Sequence, residues 1–179
     1  MKFQTKKLVL SALFMALTCV ATMSIRIPTP GTGGYIHPGD ALVILSGALF
    51  GPVWGFLIAG IGSCLADLLG GYLVYVPITF LIKGLVAFSS GLIFQKLAGF
   101  SKKHYLALAL GGIADIVLVA GGYFFFEFFL YGQGAAASIP ANLIQGTSGL
   151  LLSQLLYPVL AAVPDVKRIN MSAASSKAL

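Results

Sequence analysis

The chain has 179 residues, 58% of them hydrophobic and only 9% charged, with a mean hydropathy of +0.97 and a formal net charge of +6. A soluble domain is roughly half apolar and a quarter charged, so this composition excludes one. Nor does the positive charge indicate nucleic-acid binding: such proteins gather Lys and Arg on a solvated face, and a chain this apolar has no such face left over.

At ~20 apolar residues per helical span of a ~30 Å hydrocarbon core, the length accommodates six spans with short connections. The expected fold is an all-α integral membrane protein, one transmembrane domain over residues 1–179. A first helix is expected over residues 8–23, after Lys2, Lys6 and Lys7. A basic start and small residues near Ala21 also suit a secretory signal, but the apolar stretch is at the long end for one, and it reads as a retained span. Residues 26–40 hold three prolines and four glycines with Tyr35, His37 and Asp40. Such a stretch does not face lipid and is expected to be a long loop. The apolar run 41–50 is too short to span alone and predicts a short second helix, ended by Gly51 with Pro52 in the first turn of the next. Further helices are expected over 52–69, 77–97, 105–130 and 138–163.

With six spans, Lys2, Lys6 and Lys7, Lys96, Lys102 and Lys103, and Lys167, Arg168 and Lys177 all fall on one side, against Arg26 on the other. The positive-inside rule then puts both termini in the cytoplasm and the long loop outside. Tyr35, Tyr72, Tyr75 and Tyr131 sit at the outer edges, as an interfacial belt or as ligand contacts.

Ionisable groups within the hydrocarbon are costly, so each needs a partner or a purpose. Asp67, Lys83, Asp115 and Glu127 are in that position. From the rise of a helix, Lys83 is about 9 Å and Glu127 about 5 to 6 Å below the outer ends of their helices, at similar depth. Asn142 and Gln145 share a face of the last helix near the same side, and Asp67 is close to the outer end of the third. Polar groups from four helices thus converge beneath the outer loop, as in an outward-facing pocket. The same residues also read as a Lys83–Glu127 ion pair, with Asn142 and Gln145 bonding helices together and no ligand. Asp115 is expected deeper, in the cytoplasmic half, outside this cluster.

Around Glu127, Tyr123, Phe124, Phe125, Phe126, Phe128 and Phe129 mostly face lipid or neighbouring helices, though one or two rings suit stacking on a planar heterocycle. Gly47, Gly51 and Gly55, and Ala12 and Ala16, are small-residue series that permit close helix approach. Cys19 and Cys64 lie in apolar stretches and read as packing residues; with His37 and His104 they show no metal-ligand spacing, and no cofactor is implied. There is no G-x-x-x-x-G-K-[ST] loop, so ATP-driven transport would need a separate ATPase. The chain is not expected to be an enzyme.

The segment from His37 to Gly84 contains Gly39-Asp40-Ala41 opening a short helix, Leu49-Phe50-Gly51-Pro52, Ala66-Asp67, Gly70-Gly71 and Lys83-Gly84. In these residues, and in size and helix layout over essentially the whole chain, it resembles the substrate-binding S components of energy-coupling factor (ECF) transporters. It is most similar to the branch for hydroxymethylpyrimidine or pyridoxine, with pantothenate and riboflavin carriers as relatives. The resemblance implies a prokaryotic plasma-membrane protein that captures a vitamin outside. It also implies an A-x-x-x-A surface, here Ala12 and Ala16, docking on a membrane-embedded coupling (T) subunit driven by two cytoplasmic ATPases. The expected substrate contacts are Lys83, Glu127, Asn142 and Gln145, then Asp67 and Tyr35. Two other readings remain open: an accessory scaffold subunit or membrane enzyme without a transport role, and an autonomous transporter using Lys83 and Glu127 for proton coupling.

Overall fold

The computed structural model describes residues 3–97, 103–167 and 169; Lys2, Lys102, Arg168 and Lys177 of the charge argument lie outside them. Six α-helices follow one another: α1 (Phe3–Ser24), α2 (Asp40–Phe50), α3 (Pro52–Gly70), α4 (Tyr75–Leu97), α5 (His104–Tyr131) and α6 (Ile139–Ala161). A 3-10 helix, Gly132–Ser138, joins α5 to α6. Four helical stretches are long and apolar enough to cross a membrane by length and composition, the last being α5 and α6 run together through the 3-10 helix. Large apolar side chains crowd the outside of the bundle, among them Val117, Phe129, Leu155 and Val159. In water this would be untenable, whereas against lipid tails it costs nothing.

The expected loop after α1 contains a two-stranded antiparallel ribbon, β1 (Ile27–Pro28) with β2 (Tyr35–Ile36), in which Pro28 faces Tyr35. The Thr29 N–H donates to the Gly34 carbonyl at 3.0 Å, and the Thr29 and Thr32 hydroxyls pair at 2.7 Å. Gly31, at φ 74°, turns the tip. Inward-facing hydroxyls and this turn let a Pro- and Gly-rich stretch satisfy its own backbone.

The short second helix is the centre of the molecule. All its residues except Leu42 are buried, and it touches α1, α3, α4, α5 and α6. A helix apolar all round belongs inside, and at 11 residues α2 is ~16 Å long. Its close neighbours explain the glycine series. A Cβ on Gly47 would strike the Ala87 carbonyl of α4, and one on Gly55 would lie 2.5 Å from the Gly47 Cα. Gly51 has φ 85°, forming the corner from which Pro52 starts α3.

On α1, Ser11, Phe14 and Thr18 face inward while Ala12, Leu13, Ala16 and Leu17 face outward. At the end of the bundle away from the ribbon, Lys6 pairs with Asp165 at 2.8 Å, and Val166 and Ile169 are buried. Helices α4 and α5 begin slightly earlier than the apolar pattern suggests, at Tyr75 and His104. For α4 that shift matters below.

Candidate functional site

At the ribbon end, the ribbon with its turn and the ends of α3 to α6 line a narrow recess with an empty volume of about 340 Å³, counted out to open solvent. One wall is Asp67 of α3 and Tyr35 of the ribbon. The Tyr35 hydroxyl donates to Asp67 Oδ1 at 2.7 Å. Burial, and then the negative charge of Asp67, raise the Tyr35 pKa, so the phenol keeps the proton it donates. Its ring lies 4.5 Å from that of Tyr72, and Arg26 stands over both.

The opposite wall is Glu127 of α5 and Asn142 of α6. Glu127 Oε1 accepts from the Tyr75 hydroxyl at 2.9 Å and Oε2 from the Ser138 hydroxyl at 2.6 Å. The Asn142 amide reaches Ser138 only at 3.5 Å. Thr79 and Tyr123, whose hydroxyls pair at 2.9 Å, complete the wall between the carboxylates.

The floor is a buried ion pair. Lys83 Nζ meets Asp40 Oδ1 at 2.5 Å, and both side chains are fully shielded from solvent. The Gln145 amide donates to Asp40 Oδ2 at 2.8 Å, and its carbonyl accepts the His37 backbone N–H at 3.0 Å. One unambiguous donor and one unambiguous acceptor fix the orientation of this amide. His37 Nδ1 accepts from the Gly39 N–H, and burial, assisted by the Lys83 charge, lowers the His37 pKa to about 4 against the pull of Asp40. The imidazole is therefore neutral at physiological pH, with its proton on Nε2.

The Lys83–Glu127 ion pair of the alternative reading is not formed. Because α4 starts at Tyr75, Lys83 lies eight residues, ~12 Å, below its helix end, while Glu127 lies four residues, ~6 Å, from Tyr131. A helical turn in depth separates them, and each has nearer partners. Of the six expected contacts, Tyr35, Asp67, Glu127 and Asn142 line the recess, whereas Lys83 and Gln145 lie beneath it.

Asp40, at the end of the expected loop, opens α2 as Gly39-Asp40-Ala41 suggested, but it is buried, which was not expected. An acid at the start of a helix apolar all round must be carried inside with it, and Lys83 is the cation it meets. Among the described residues, Asp40 thus joins Asp67, Lys83, Asp115 and Glu127 in the interior. Asp115 is not remote either. A Cβ on Gly149 would lie 2.7 Å from Asp40 Cβ and 3.2 Å from Asp115 Oδ2, so the two carboxylates are neighbours across α6. Neither Asp115 oxygen has a hydrogen-bond partner among the described residues. Among those residues, no three His, Cys, Asp or Glu side chains converge as metal ligands.

Comparison with known proteins places this arrangement. A family model described as "ECF-type riboflavin transporter, S component" matches residues 2–162. The chain belongs to the ECF-type S-component family. This S component is 30% identical over 157 residues to the thiamine precursor transporter HmpT of Lactococcus lactis subsp. cremoris, covering 87% of each chain. It is 35% identical over 136 residues to an uncharacterized protein of Pyrococcus woesei, covering 74% of this chain and 86% of that one. A solved structure of the S component of a bacterial ECF transporter superposes with a TM-score of 0.65 at 25% identity, over 88% of this chain and 96% of the other. The protein is thus a membrane-embedded, substrate-binding transporter subunit and not an enzyme. ECF S components bind small vitamin substrates and work with a T subunit and ATPases.

Proposed function

We propose that this S component captures a small vitamin or vitamin precursor at the outer face of a prokaryotic plasma membrane. It then delivers it inward with a membrane-embedded T subunit and two cytoplasmic ATPases. Hydroxymethylpyrimidine or pyridoxine is the favoured substrate, with pantothenate next. In this reading the chain makes six spans with both termini in the cytoplasm, so the ribbon end faces outward. Lys6, Lys7, Lys96, Lys103 and Lys167, at the far end of the bundle, support that orientation. Ala12 and Ala16 are exposed on α1, as a surface docking on the T subunit requires.

The observation that carries the proposal is the recess itself. Polar groups from the ribbon and four helices converge on one narrow space, as the few placed polar groups of a ligand site do. The favoured substrate agrees with a relative named for a thiamine precursor. Tyr35, Asp67, Glu127 and Asn142 are assigned to direct contact. Lys83 and Gln145 are assigned to holding the floor through Asp40.

The test is titration of the purified chain with hydroxymethylpyrimidine, pyridoxine, pantothenate and riboflavin, repeated with Glu127→Gln and Asn142→Ala. Submicromolar binding of one compound, weakened at least about tenfold by either change, is the expected result. A folded protein that binds none of them is an accessory subunit instead.

A further inference from the structure

The charge of the recess narrows the substrate class, an inference that rests on the capture reading above. Two carboxylates, Asp67 and Glu127, face the space, and no Lys or Arg among the described residues lines it. The nearest cations are accounted for. Lys83 is bound to Asp40 beneath the floor, and Arg26 stands 5.7 Å from the Tyr35 ring centroid, stacked on Tyr35 and Tyr72. His37 lines the recess as a neutral imidazole.

The two carboxylates are not equivalent. Both oxygens of Glu127 have a hydroxyl donor, from Tyr75 and Ser138. Asp67 is only 3% exposed, and its Oδ1 is covered by Tyr35, yet Oδ2 has no hydrogen-bond partner among the described residues. The neighbouring Thr79 hydroxyl pairs with Tyr123, either group donating, and also lies within reach of Asp67. A buried carboxylate oxygen left without a donor is costly, and Asp67 is one of the residues that line the recess.

We propose that Asp67 Oδ2 accepts an N–H from the ligand, and that the recess selects an amino-substituted or protonated nitrogen heterocycle while rejecting anionic vitamins and phosphate esters. A ligand carboxylate or phosphate would stand beside two carboxylates in a water-poor site, a repulsion that works against it whatever its other contacts. A ring amine meets Asp67 directly, with the Tyr35 and Tyr75 rings at its flanks.

The experiment uses the purified full chain and isothermal titration with four probes: 4-amino-5-hydroxymethyl-2-methylpyrimidine, its 4-oxo analogue, its phosphate ester, and pantothenate. The amine is expected to bind, the oxo analogue at least about tenfold more weakly, and the two anions at least about a hundredfold more weakly. Asp67→Asn is expected to weaken amine binding at least about tenfold and to narrow the gap to the anions. Submicromolar binding of pantothenate or the ester, at or above the affinity for the amine, overturns the charge selection while leaving the capture role standing. An unchanged amine affinity in folded Asp67→Asn overturns the assignment of Oδ2. Failure of folded wild-type protein to bind any of the four probes, or riboflavin or pyridoxine, overturns both readings. Should Asp67→Asn not fold, the wild-type series alone decides.

Discussion

Replacing Asp40 with alanine removes the carboxylate that faces Lys83 and accepts from Gln145. Both members of the ion pair are fully shielded, so water cannot replace what is lost. Breaking a buried pair by deleting one partner costs ~3–5 kcal/mol, and the orphaned Gln145 amide adds about 1 kcal/mol. At roughly 2–4 °C per kcal/mol for a chain of this size, the Tm should fall by roughly 8–24 °C. Lys83→Met should cost a similar amount, because it strands Asp40 in the same way. Asp40→Leu with Lys83→Met removes both charges together and should recover about 3 kcal/mol relative to the sum of the single changes. Thermal unfolding in one detergent, followed through the single tryptophan, Trp54, reads all of these. If Asp40→Ala melts within about 2 °C of the unmodified chain, or the double variant is merely additive, the ion pair does not hold the floor and the reasoning is wrong.

Three other outcomes follow from particular contacts. His37 holds a folded pKa of about 4 against an ordinary 6.5, so between those values the unfolded chain takes up a proton that the folded one refuses. Stability is therefore full above pH 6.5 and falls by about 3 kcal/mol as pH drops to 4, and Tm measured against pH should lose that slope in His37→Gln. Gly47→Ala drives a methyl into the Ala87 carbonyl and should cost ~1–3 kcal/mol, whereas Gly121→Ala, with nothing within 4 Å, should melt at or slightly above the unmodified temperature. Asp115→Asn keeps the side-chain volume and removes an acid that has no hydrogen-bond partner among the described residues, so its Tm should be unchanged or higher; a fall of many degrees would reveal an unseen partner.

The helices were legible because each is a long apolar run closed by Gly, Pro or Lys, and α2 because its run is too short to span. The paired ribbon was not, since two residues per strand leave no alternation to read and their pairing depends on Thr29 and Gly34. The recess was half legible. Counting turns from helix ends placed Asp67, Glu127 and Asn142 in one layer, but an error of two residues at the start of α4 brought Lys83 ~3 Å, about half a turn, too near the surface. The burial of Asp40 was hidden by the neighbouring prolines and glycines, although the all-round apolarity of α2 was the signal that its first residue had to be buried. The depth of Asp115 was legible but its nearness to Asp40 was not, because depth along one helix says nothing about which neighbour a side chain meets across another.

Tyr35 bonds Asp67 in one wall of the recess, and Asp40 anchors its floor through Lys83, with His37 held to α6 between them. Five residue steps separate the two, a reach of at most about 18 Å when fully drawn out. Pro38 stiffens part of even that short tether. Wall and floor are therefore joined by one short stretch of chain rather than being separate parts, and a displacement of Tyr35 has little slack before it pulls on the Asp40–Lys83 pair.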